Sequence, residues 1–430
     1  MNELWTQNLE MPRFAPLRYD LKTDVLIIGG GLSGLLCAHK LQQAGVDYAL
    51  IEAHRIGCGT SGRSTAKITA QHGLCYQNIL QKFGLEKAQM VLTANLNALE
   101  QYRALAQELE FDFEEKDNYI YSADPLKLEQ ELQALQTIGY AADLVQNLSL
   151  PIETAGAVRF SRQAQCHPMK LMAGLAKGLH IYEQTSARSF NGMDVVTDGG
   201  SIAAQKIIFA THFPILNSCG GYFMKLYQHR SYVSAWEGAP LPEGMFMGDT
   251  PDAISLRSYG DLLLLGGGAH RTGKQGGGWR ELRTFARKHY PEAKERYRWA
   301  AQDCMSLDGV PYIGHYAKGK QDLYVATGYN KWGFTSSMVA ADQITKMMLE
   351  QDTPCAPAFE PSRSILHRQL AVNLGESVVH LIKPTVPRCS HLGCALVWNR
   401  RERCWDCPCH GSRFTADGEI LESPATEDLQ

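Results

Sequence analysis

The sequence DVLIIGGGLSGLLCAHKLQQAGVDYALIE, residues 24–52, combines an apolar β-branched run, a glycine-rich turn, a helical pattern and a second apolar run. Its glycines follow the spacing Gly29-x-Gly31-x-x-Gly34. Such a turn lets the backbone approach a pyrophosphate at the positive end of a helix. Glu52, which ends the second run, is placed to accept hydrogen bonds from a ribose diol. The stretch therefore predicts a βαβ unit that binds a nucleotide cofactor.

The rest of the chain predicts a second domain that is interleaved with the first. Between about residues 119 and 297, short strands alternate with two helical patterns at 168–178 and 279–289. This pattern is typical of a mixed antiparallel sheet. Two further apolar strands, at 206–211 and 323–328, and a helix from about 334 to 349 have the character of the first unit.

We therefore expect two discontinuous domains, a linker and a last module. The first domain takes residues 1–100, 180–215 and 300–350, and the second takes 101–179 and 216–299. Three prolines between 351 and 361 predict a linker, because proline cannot continue a helix. Residues 362–430 form the last module.

The composition excludes several classes of function. The chain has 42 basic and 45 acidic residues, giving a net charge of −3, so a nucleic-acid partner is not expected. Apolar residues make up 44% and charged residues 20%, as in ordinary globular proteins. No run approaches the roughly 18 apolar residues of a membrane helix, so no integral membrane segment is expected. The first 20 residues carry no secretory signal pattern, and we expect a cytoplasmic protein.

The cysteines point to a metal module at the end of the chain. Five of the twelve lie in the last 42 residues. They include two boxes, CSHLGC at 389–394 and CPCHGS at 407–412. Two thiolates and two imidazoles from such boxes are also a possible tetrahedral zinc site.

The two boxes resemble the Rieske [2Fe–2S] module residue for residue, which favours a cluster over zinc. In that module two cysteines bind one iron and two histidines bind the other. The resemblance implies that Cys389, His391, Cys407 and His410 are the ligands. It also implies a disulfide between Cys394 and Cys409, and leaves Cys404 as a bystander thiol.

Residues 20–350 resemble the D-amino-acid-oxidase-like flavoproteins. The resemblance rests on RIGCGTSGRSTAK at 55–67, ATGYNKWG at 326–333, RWAAQD at 298–303 and DGVPYIG at 308–314. It implies FAD rather than NAD, and flavin also converts two-electron into one-electron transfer beside a Rieske centre. The implied cofactor-binding residues are Gly29, Gly31, Leu32, Ser33, Gly34, Glu52, Arg55, Thr60, Ser61, Thr65, Ala187, Gly328, Asn330, Trp332, Gly333 and Phe334.

Together the resemblances imply an α/β FAD-binding Rossmann-like domain, interleaved with an α+β antiparallel-sheet substrate domain and followed by a small all-β Rieske domain. The whole chain resembles bacterial fusions of an amine-oxidising flavoprotein of the glycine and sarcosine oxidase type with a Rieske domain. We therefore expect an FAD-dependent dehydrogenase that oxidises an amine or amino acid at a CH–NH or CH–NH2 group. Its electrons would pass singly through the cluster to an external acceptor, a protein or a quinone.

Residues that contact the substrate are harder to identify from the sequence. The predicted catalytic residues are Lys67, His72, Arg257, Tyr259 and His270. Arginine can bind a carboxylate with two hydrogen bonds, and lysine or histidine can accept a proton from an ammonium group.

Two other functions remain open at this point. One is an electron-transfer or redox-sensing partner without its own small-molecule substrate. The other is a Rieske oxygenase, which also needs a mononuclear iron held by two histidines and a carboxylate. None of the 14 histidines forms a pair four or five residues apart in a helical stretch. This makes the oxygenase the weakest hypothesis.

Overall fold

The computed structural model describes residues 3–250 and 252–429. Its strands are β1 (Leu21–Ile28), β2 (Tyr48–Ile51), β3 (Lys67–Ile68), β4 (Glu114–Ser122), β5 (Asp143–Val145), β6 (Gly156–Gln165), β7 (Ile181–Tyr182), β8 (Ala187–Asn191), β9 (Asp194–Thr197), β10 (Ser201–Phe209), β11 (Leu226–Glu237), β12 (Met245–Gly248), β13 (Ser255–Tyr259), β14 (Leu262–Arg271), β15 (Lys294–Ser306), β16 (Tyr312–His315), β17 (Leu323–Thr327), β18 (Val397–Asn399), β19 (Cys404–Asp406), β20 (Arg413–Phe414) and β21 (Ile420–Glu422). Its helices are α1 (Glu3–Thr6), α2 (Leu32–Gln43), α3 (Tyr76–Glu108), α4 (Pro125–Thr137), α5 (Pro168–Leu175), α6 (Tyr222–Lys225), α7 (Trp279–His289), α8 (Gly333–Met348), α9 (Ala356–Phe359) and α10 (Arg368–Ile382).

The first sheet has the order β16-β17-β10-β1-β2-β7 and is parallel except for β16. Its central strand β1 ends in four consecutive buried residues, because both faces are covered: Val25 and Ile27 share a core cluster with α2 and α8, and Leu26 and Ile28 share another with residues of β8, β9 and β16. A fully covered parallel strand carries such an uninterrupted apolar run. The antiparallel hairpin β8–β9 joins this sheet through β10. The predicted α/β domain is confirmed.

The second sheet has the order β15-β11-β14-β13-β12-β4-β6-β3, with β5 paired to β6. Its neighbours run antiparallel, apart from the parallel pair of β4 and β12. The long strands β11 and β15 pair along their whole length, from Leu226 opposite Ser306 to Glu237 opposite Lys294. The predicted antiparallel-sheet domain, interleaved with the first, is confirmed.

Two strands lie on the other side of the predicted domain boundaries. Strand β3 falls within residues 1–100, yet it pairs with β6 in the second sheet. Strand β15 begins at Lys294 and continues beyond residue 300, because its partner β11 is long enough to pair with all of it. A continuous strand can thus serve both domains, and the exact boundaries stay a prediction.

The C-terminal module contains a small antiparallel sheet, β18-β19-β20-β21. The predicted linker folds back onto the first domain: α9 lies inside it, and Phe359 is buried. Just beyond, the Arg363 guanidinium binds the carboxylate of Asp308, at 2.6 Å from Nε, and stacks over the ring of Tyr312. The connection between the modules is therefore anchored by a buried ion pair.

Helix α10 precedes the small sheet and was not predicted. It packs next to α6 of the second domain and next to the cysteine loops of the last module. In the part of the chain that is described, no helix has the length and apolar character needed to cross a membrane.

Candidate functional site

The glycine-rich turn after β1 is dictated by close backbone contacts. Gly29 has a φ of +112°, and a Cβ atom there would lie 2.5 Å from the carbonyl oxygen of Ala210. A Cβ atom at Gly34 would lie 1.9 Å from the carbonyl oxygen of Gly29. The turn therefore admits no side chain at either position. Gly31 precedes the first turn of α2 and faces open space bordered by the Ser61 hydroxyl.

Glu52, which directly follows the neighbouring strand β2, is hydrogen-bonded to the glycine-rich turn. Its Oε2 accepts a hydrogen bond from the Gly30 amide at 2.7 Å, and its Oε1 accepts one from the His54 amide at 2.8 Å. Burial raises the pKa of the carboxyl group, and the two amide hydrogen bonds oppose that shift. The carboxylate is thus oriented by backbone donors at the edge of the cleft, as a ribose-binding acid requires.

A cavity of about 710 Å³ begins at this turn and extends to the second sheet and the C-terminal module. A volume of this size is in the range of cofactor and ligand sites. Most of the predicted cofactor-binding residues line it, namely Gly29, Gly31, Leu32, Ser33, Glu52, Arg55, Thr60, Ser61, Thr65, Ala187, Gly328, Gly333 and Phe334. The glycine turn, the acid and the cavity together fit a bound dinucleotide.

Three predicted cofactor residues do not line the cavity. Gly34 packs against the backbone of Gly29. The Asn330 side chain accepts from the Ser306 amide at 2.9 Å and donates to the Gly328 carbonyl at 2.6 Å, so it shapes the turn before α8. Trp332 stacks on His72, with 5.0 Å between ring centroids. Their binding roles stay a prediction.

The five predicted catalytic residues also lie outside the cavity lining. Lys67 is buried and donates to the carbonyl of Phe246 at 3.2 Å. Burial, with a smaller effect of Arg257, lowers the pKa of Lys67 to about 7. The His72 Nε2 lies 2.9 Å from the Thr69 carbonyl oxygen, and burial lowers the pKa of the ring to about 4.

Hydrogen bonds also hold the other three, which lie on strands β13 and β14 of the second sheet. Arg257 donates to the carbonyls of Thr65 and Ala66, and burial lowers its pKa to about 10. The Tyr259 hydroxyl donates to Asp112 at 2.8 Å. His270 reaches the cavity only indirectly, because its Nε2 lies 3.1 Å from the hydroxyl of the lining residue Tyr232. Each contact gives these residues a structural role, and their catalytic role stays a prediction.

Sequence reasoning missed the residues by which the second sheet closes the cavity. Side chains from five strands contribute, among them Ser231, Tyr232, Met247, Ser255, Ala269 and Asp303. The Ser231 hydroxyl donates to Asp303 Oδ2 at 2.8 Å. Asp303 lies in the RWAAQD stretch that carried the resemblance, which was the signal available, but only the pairing of β11 with β15 shows which residues face inward.

The two cysteine boxes fold into matching loops. In the first, the Cys389 amide donates to the Cys394 carbonyl and the Gly393 amide to the Cys389 carbonyl, each at 2.9 Å. In the second, the Cys407 amide donates to the Ser412 carbonyl at 2.8 Å and the Gly411 amide to the Cys407 carbonyl at 2.9 Å. The two loops therefore present their cysteine and histidine side chains in the same way.

The four predicted ligands converge between these loops. Cys389 and Cys407 are buried, and the rings of His391 and His410 lie 5.0 Å apart. The Nδ1 atoms of both histidines are buried without a hydrogen-bond partner. Buried polar atoms are seldom left unpaired, so two such nitrogens beside two thiols fit a cluster that is bound through them.

The predicted disulfide stays a prediction. All twelve cysteines are free thiols in the structure, including Cys394 and Cys409. The sulfur atoms of Cys394, Cys407 and Cys409 lie within 4.8 Å of one another. Cys404 lies apart from them, where its sulfur accepts a hydrogen bond from Arg413 at 2.8 Å.

The cysteine loops are one hydrogen bond away from the cavity wall. Ser423 and Ala425 line the cavity, and the Ala425 amide donates to the Ser412 hydroxyl at 3.0 Å. Gln228 makes a second connection: its Oε1 lies 2.9 Å from Nε2 of the cavity residue His212, and its Nε2 donates to the His410 carbonyl at 3.1 Å. One side chain thus joins the cavity wall to a predicted cluster ligand.

A buried ion network holds the modules together. Arg230 of β11 is 1% exposed and pairs with Glu402 and Glu422 of the last module. Arg413 pairs with the same two carboxylates, and Arg63 pairs with Glu422 at 2.8 Å. Burial alone would raise the pKa of Glu422, but the three arginines together lower it to about 2. The network therefore stays fully charged at neutral pH.

The Glu52→Gln substitution tests the nucleotide site. We expect FAD affinity to fall about 10- to 100-fold, because a hydrogen bond to a charged group is worth roughly 1.5–3 kcal/mol. Flavin absorbance retained after extensive dialysis measures the change. Glu183→Gln is the matched control, since Glu183 is also buried and also accepts two amide hydrogen bonds, but does not line the cavity. Equal flavin loss in both variants would show that Glu52 has no specific role in binding the cofactor.

Comparisons with known proteins agree with both sites. Residues 24–347 match the model of the FAD dependent oxidoreductase (DAO) family, and residues 362–430 match the Rieske [2Fe-2S] domain. The chain is 32% identical to the Rieske 2Fe-2S iron-sulfur protein YhfW of Bacillus subtilis, over 99% of this chain and 96% of that protein.

Solved structures share the fold of the first two domains. L-proline dehydrogenase from P. horikoshii is similar with a TM-score of 0.68 and 17% identity, over 80% of this chain and 98% of that one. Glycine oxidase from Geobacillus kaustophilus is similar with a TM-score of 0.66 and 20% identity, over 80% of this chain and all of that one.

Proposed function

The chain belongs to the FAD dependent oxidoreductase family and carries a C-terminal Rieske [2Fe-2S] domain, and from this premise we propose its reaction and its electron route. In our proposal it oxidises an amine or amino acid at a CH–NH or CH–NH2 group. The electrons leave singly through the cluster to an external acceptor. FAD can accept a hydride and then release its two electrons one at a time, and the cluster carries one electron.

The contact between the cavity and the cluster loops carries this proposal. Ser423 and Ala425 belong to the Rieske domain and line the cavity of the flavoprotein domain. Gln228 links cavity residue His212 to the backbone of His410. A shared wall and a short hydrogen-bonded connection favour direct electron transfer within one chain.

The charge of the second-sheet wall favours an ammonium-bearing substrate. Asp303 is the acidic residue that the strands of the second sheet contribute to the lining, and within the described residues these strands contribute no lysine or arginine. The carboxylate is already oriented by Ser231. A lone, oriented carboxylate binds a cation by charge-assisted hydrogen bonds. Amines are therefore favoured over substrates that need a carboxylate-binding arginine at this wall.

The names of the similar structures support the reaction class. They are a proline dehydrogenase and a glycine oxidase, both named for amino acids. At 17% and 20% identity the similarity shows a shared fold, so the substrate of this chain is to be identified by direct assay.

The Asp303→Asn variant tests the ammonium site. We expect KM for amines to rise by at least about tenfold, because the charge-assisted hydrogen bond is lost, while kcat changes less. Asp112→Asn is the control, since Asp112 pairs with Lys170 and Tyr259 outside the cavity lining. An unchanged KM in the Asp303 variant would place the ammonium group elsewhere.

An anaerobic titration tests the function as a whole. Amines, N-methylated glycines and amino acids are added to the purified holoprotein, and flavin bleaching is followed together with the electron paramagnetic resonance signal of the reduced cluster. Growth of the cluster signal with flavin bleaching supports the proposal. If a chemical reductant produces the cluster signal but no added compound bleaches the flavin, the result would favour the electron-transfer or redox-sensing partner instead.

We also propose a cytoplasmic location. Seven cysteines outside the last module are free thiols, and four of them are buried. Free thiols persist in the reducing cytoplasm, whereas secreted proteins pair them. Fractionation of cells with an antibody to the chain tests the location.

A further inference from the structure

Helix α10 has its polar side turned to the protein and its apolar side turned to solvent. Asn373 and His380 are 3% and 7% exposed. Six large aliphatic residues of the helix are between 44% and 75% exposed, namely Val372, Leu374, Val378, Val379, Leu381 and Ile382. A surface helix normally buries its apolar stripe. We call these six residues the outward face.

Specific contacts fix this orientation. Asn373 Oδ1 accepts from Arg271 Nη1 at 3.0 Å, and Asn373 Nδ2 donates to the Met224 carbonyl at 3.2 Å. Near the other end of the helix, the His380 carbonyl accepts from the Ala395 amide at 2.8 Å. A rotation that buried the outward face would break these hydrogen bonds. The exposure of the face is therefore built into the packing of the two domains.

The outward face is part of a larger apolar surface. Leu366 precedes the helix and is 85% exposed, and Val386 follows it and is 82% exposed. Eight of the sixteen exposed large apolar side chains in the described chain lie between residues 366 and 386. Exposed apolar residues scattered singly need no explanation, but a contiguous patch marks an interaction site.

The composition of the patch favours lipid over protein. Its eight large residues are valine, leucine and isoleucine, with no aromatic residue or methionine among them. Those missing residue types are the ones enriched in the cores and hot spots of protein interfaces. An aliphatic helix face that lies flat is typical of segments at the acyl boundary of a bilayer.

Basic residues stand at both ends of the patch. Arg368 begins the helix, and Lys383 and Arg388 follow it; all three are exposed. None of them pairs with a carboxylate in residues 3–250 or 252–429. The acid of the helix, Glu376, is paired with Lys274 at 2.7 Å. Unpaired basic residues beside an aliphatic face complement anionic headgroups.

We propose that the outward face of α10 seats the protein on the surface of an anionic lipid bilayer. The aliphatic side chains enter the acyl boundary, and Arg368 and Lys383 contact the headgroups. Arg388 adds positive charge nearby, while its guanidinium donates to the carbonyls of Leu381, Lys383 and Gly393. The cluster then lies next to the bilayer, because Cys409 Sγ is 3.8 Å from the Glu376 carbonyl oxygen of the same helix. The inference goes beyond the proposed reaction and does not depend on the substrate.

Vesicle sedimentation of the full-length holoprotein tests this proposal. We expect binding to vesicles of phosphatidylcholine with phosphatidylglycerol, and weaker binding to phosphatidylcholine alone. The double variant Val379→Glu with Ile382→Glu should lose at least about tenfold in affinity, since charge at the boundary opposes insertion. The control pair Leu126→Glu with Leu144→Glu, which alters exposed leucines elsewhere, should bind as wild type does.

Two results would overturn the proposal. One is a wild-type protein that does not sediment with either vesicle. The other is a dimer in solution that the double variant dissociates, without vesicle binding, which would make the face an interface between copies of the chain. Flavin bleaching by substrate needs no vesicles, so a failure here leaves the proposed reaction to its own test.

Discussion

The Cys407→Ser variant is expected to keep its flavin chemistry and to lose electron transfer to the outside. Cys407 is fully buried between the two loops, where its sulfur lies beside those of Cys389, Cys394 and Cys409. A serine hydroxyl is a poor replacement for the thiolate that binds the cluster iron. We expect the cluster signal to disappear and reduction of cytochrome c to fall at least about 100-fold. Substrate or light-driven bleaching of the flavin should change less than about twofold.

Cys404→Ser is the matched control for this variant. Cys404 lies three residues away in the same small sheet and is equally buried, but its sulfur accepts from Arg413 and lies outside the ligand group. A serine oxygen can accept the same hydrogen bond, so we expect the cluster signal to survive. Retained cytochrome c reduction in Cys407→Ser would mean that electrons leave from the flavin directly, and the proposed route would be wrong.

The Arg230→Met variant is expected to loosen the Rieske domain from the flavoprotein domain. Arg230 is 1% exposed and neutralises Glu402 and Glu422 across the boundary. Leaving a buried charge with no partner costs about 3–5 kcal/mol. Arg413 and Arg63 still pair with these carboxylates, so we expect a smaller loss of stability here. We expect a lower melting temperature and slower reduction of the cluster after flavin reduction. Stopped-flow absorbance with thermal unfolding measures both.

Arg296→Met is the control, because Arg296 forms an exposed pair with Glu237 on the same pair of strands. Exposed pairs contribute at most about 1 kcal/mol. If Arg230→Met and Arg296→Met melt at the same temperature, the network does not hold the two domains together.

The same network predicts acid sensitivity. The arginines lower the pKa of Glu422 from 4.5 to about 2 in the folded protein, so the carboxylate stabilises the folded state above pH 4.5. That stabilisation is lost as the pH falls from 4.5 towards 2, where the folded state must also take up the proton. We expect Arg230→Met to weaken this dependence, because the pKa of Glu422 then lies closer to its ordinary value. Melting temperatures of both proteins across this pH range give the comparison.

The parts of the fold that local signals specify were predictable. Residues 48–51 and 279–289 form the strand and helix that the apolar spacing predicts. The glycine turn also forms as predicted, because Gly29 and Gly34 leave room only for backbone. Helix α10 has the apolar spacing of an amphipathic helix, so its signal was present in the sequence, but the resemblance of residues 362–430 to an all-β module led us to expect no helix there.

The cavity wall formed by the second sheet could not be predicted either, for a different reason. Asp303 and Gln302 are neighbours on β15, yet Asp303 lines the cavity while Gln302 donates to the Gly411 carbonyl of the Rieske domain. Which of two adjacent strand residues faces a cleft depends on register and on long-range pairing. Lys67 and Arg257 carry charges that suggest catalysis, but only the fold shows that they are held by backbone carbonyls away from the lining.

The anchored linker determines the kinetic order that we expect for the proposed electron relay. Arg363 binds Asp308 and lies 4.0 Å over the ring of Tyr312, so the chain reaches the Rieske domain from a fixed point. Separate redox proteins must find each other by diffusion, at rates that depend on concentration and ionic strength. A donor and an acceptor that are held together in one chain need no diffusional encounter. In the proposed relay, transfer between flavin and cluster is therefore unimolecular and independent of dilution, and collisions limit only the last step, in which the proposed external acceptor arrives.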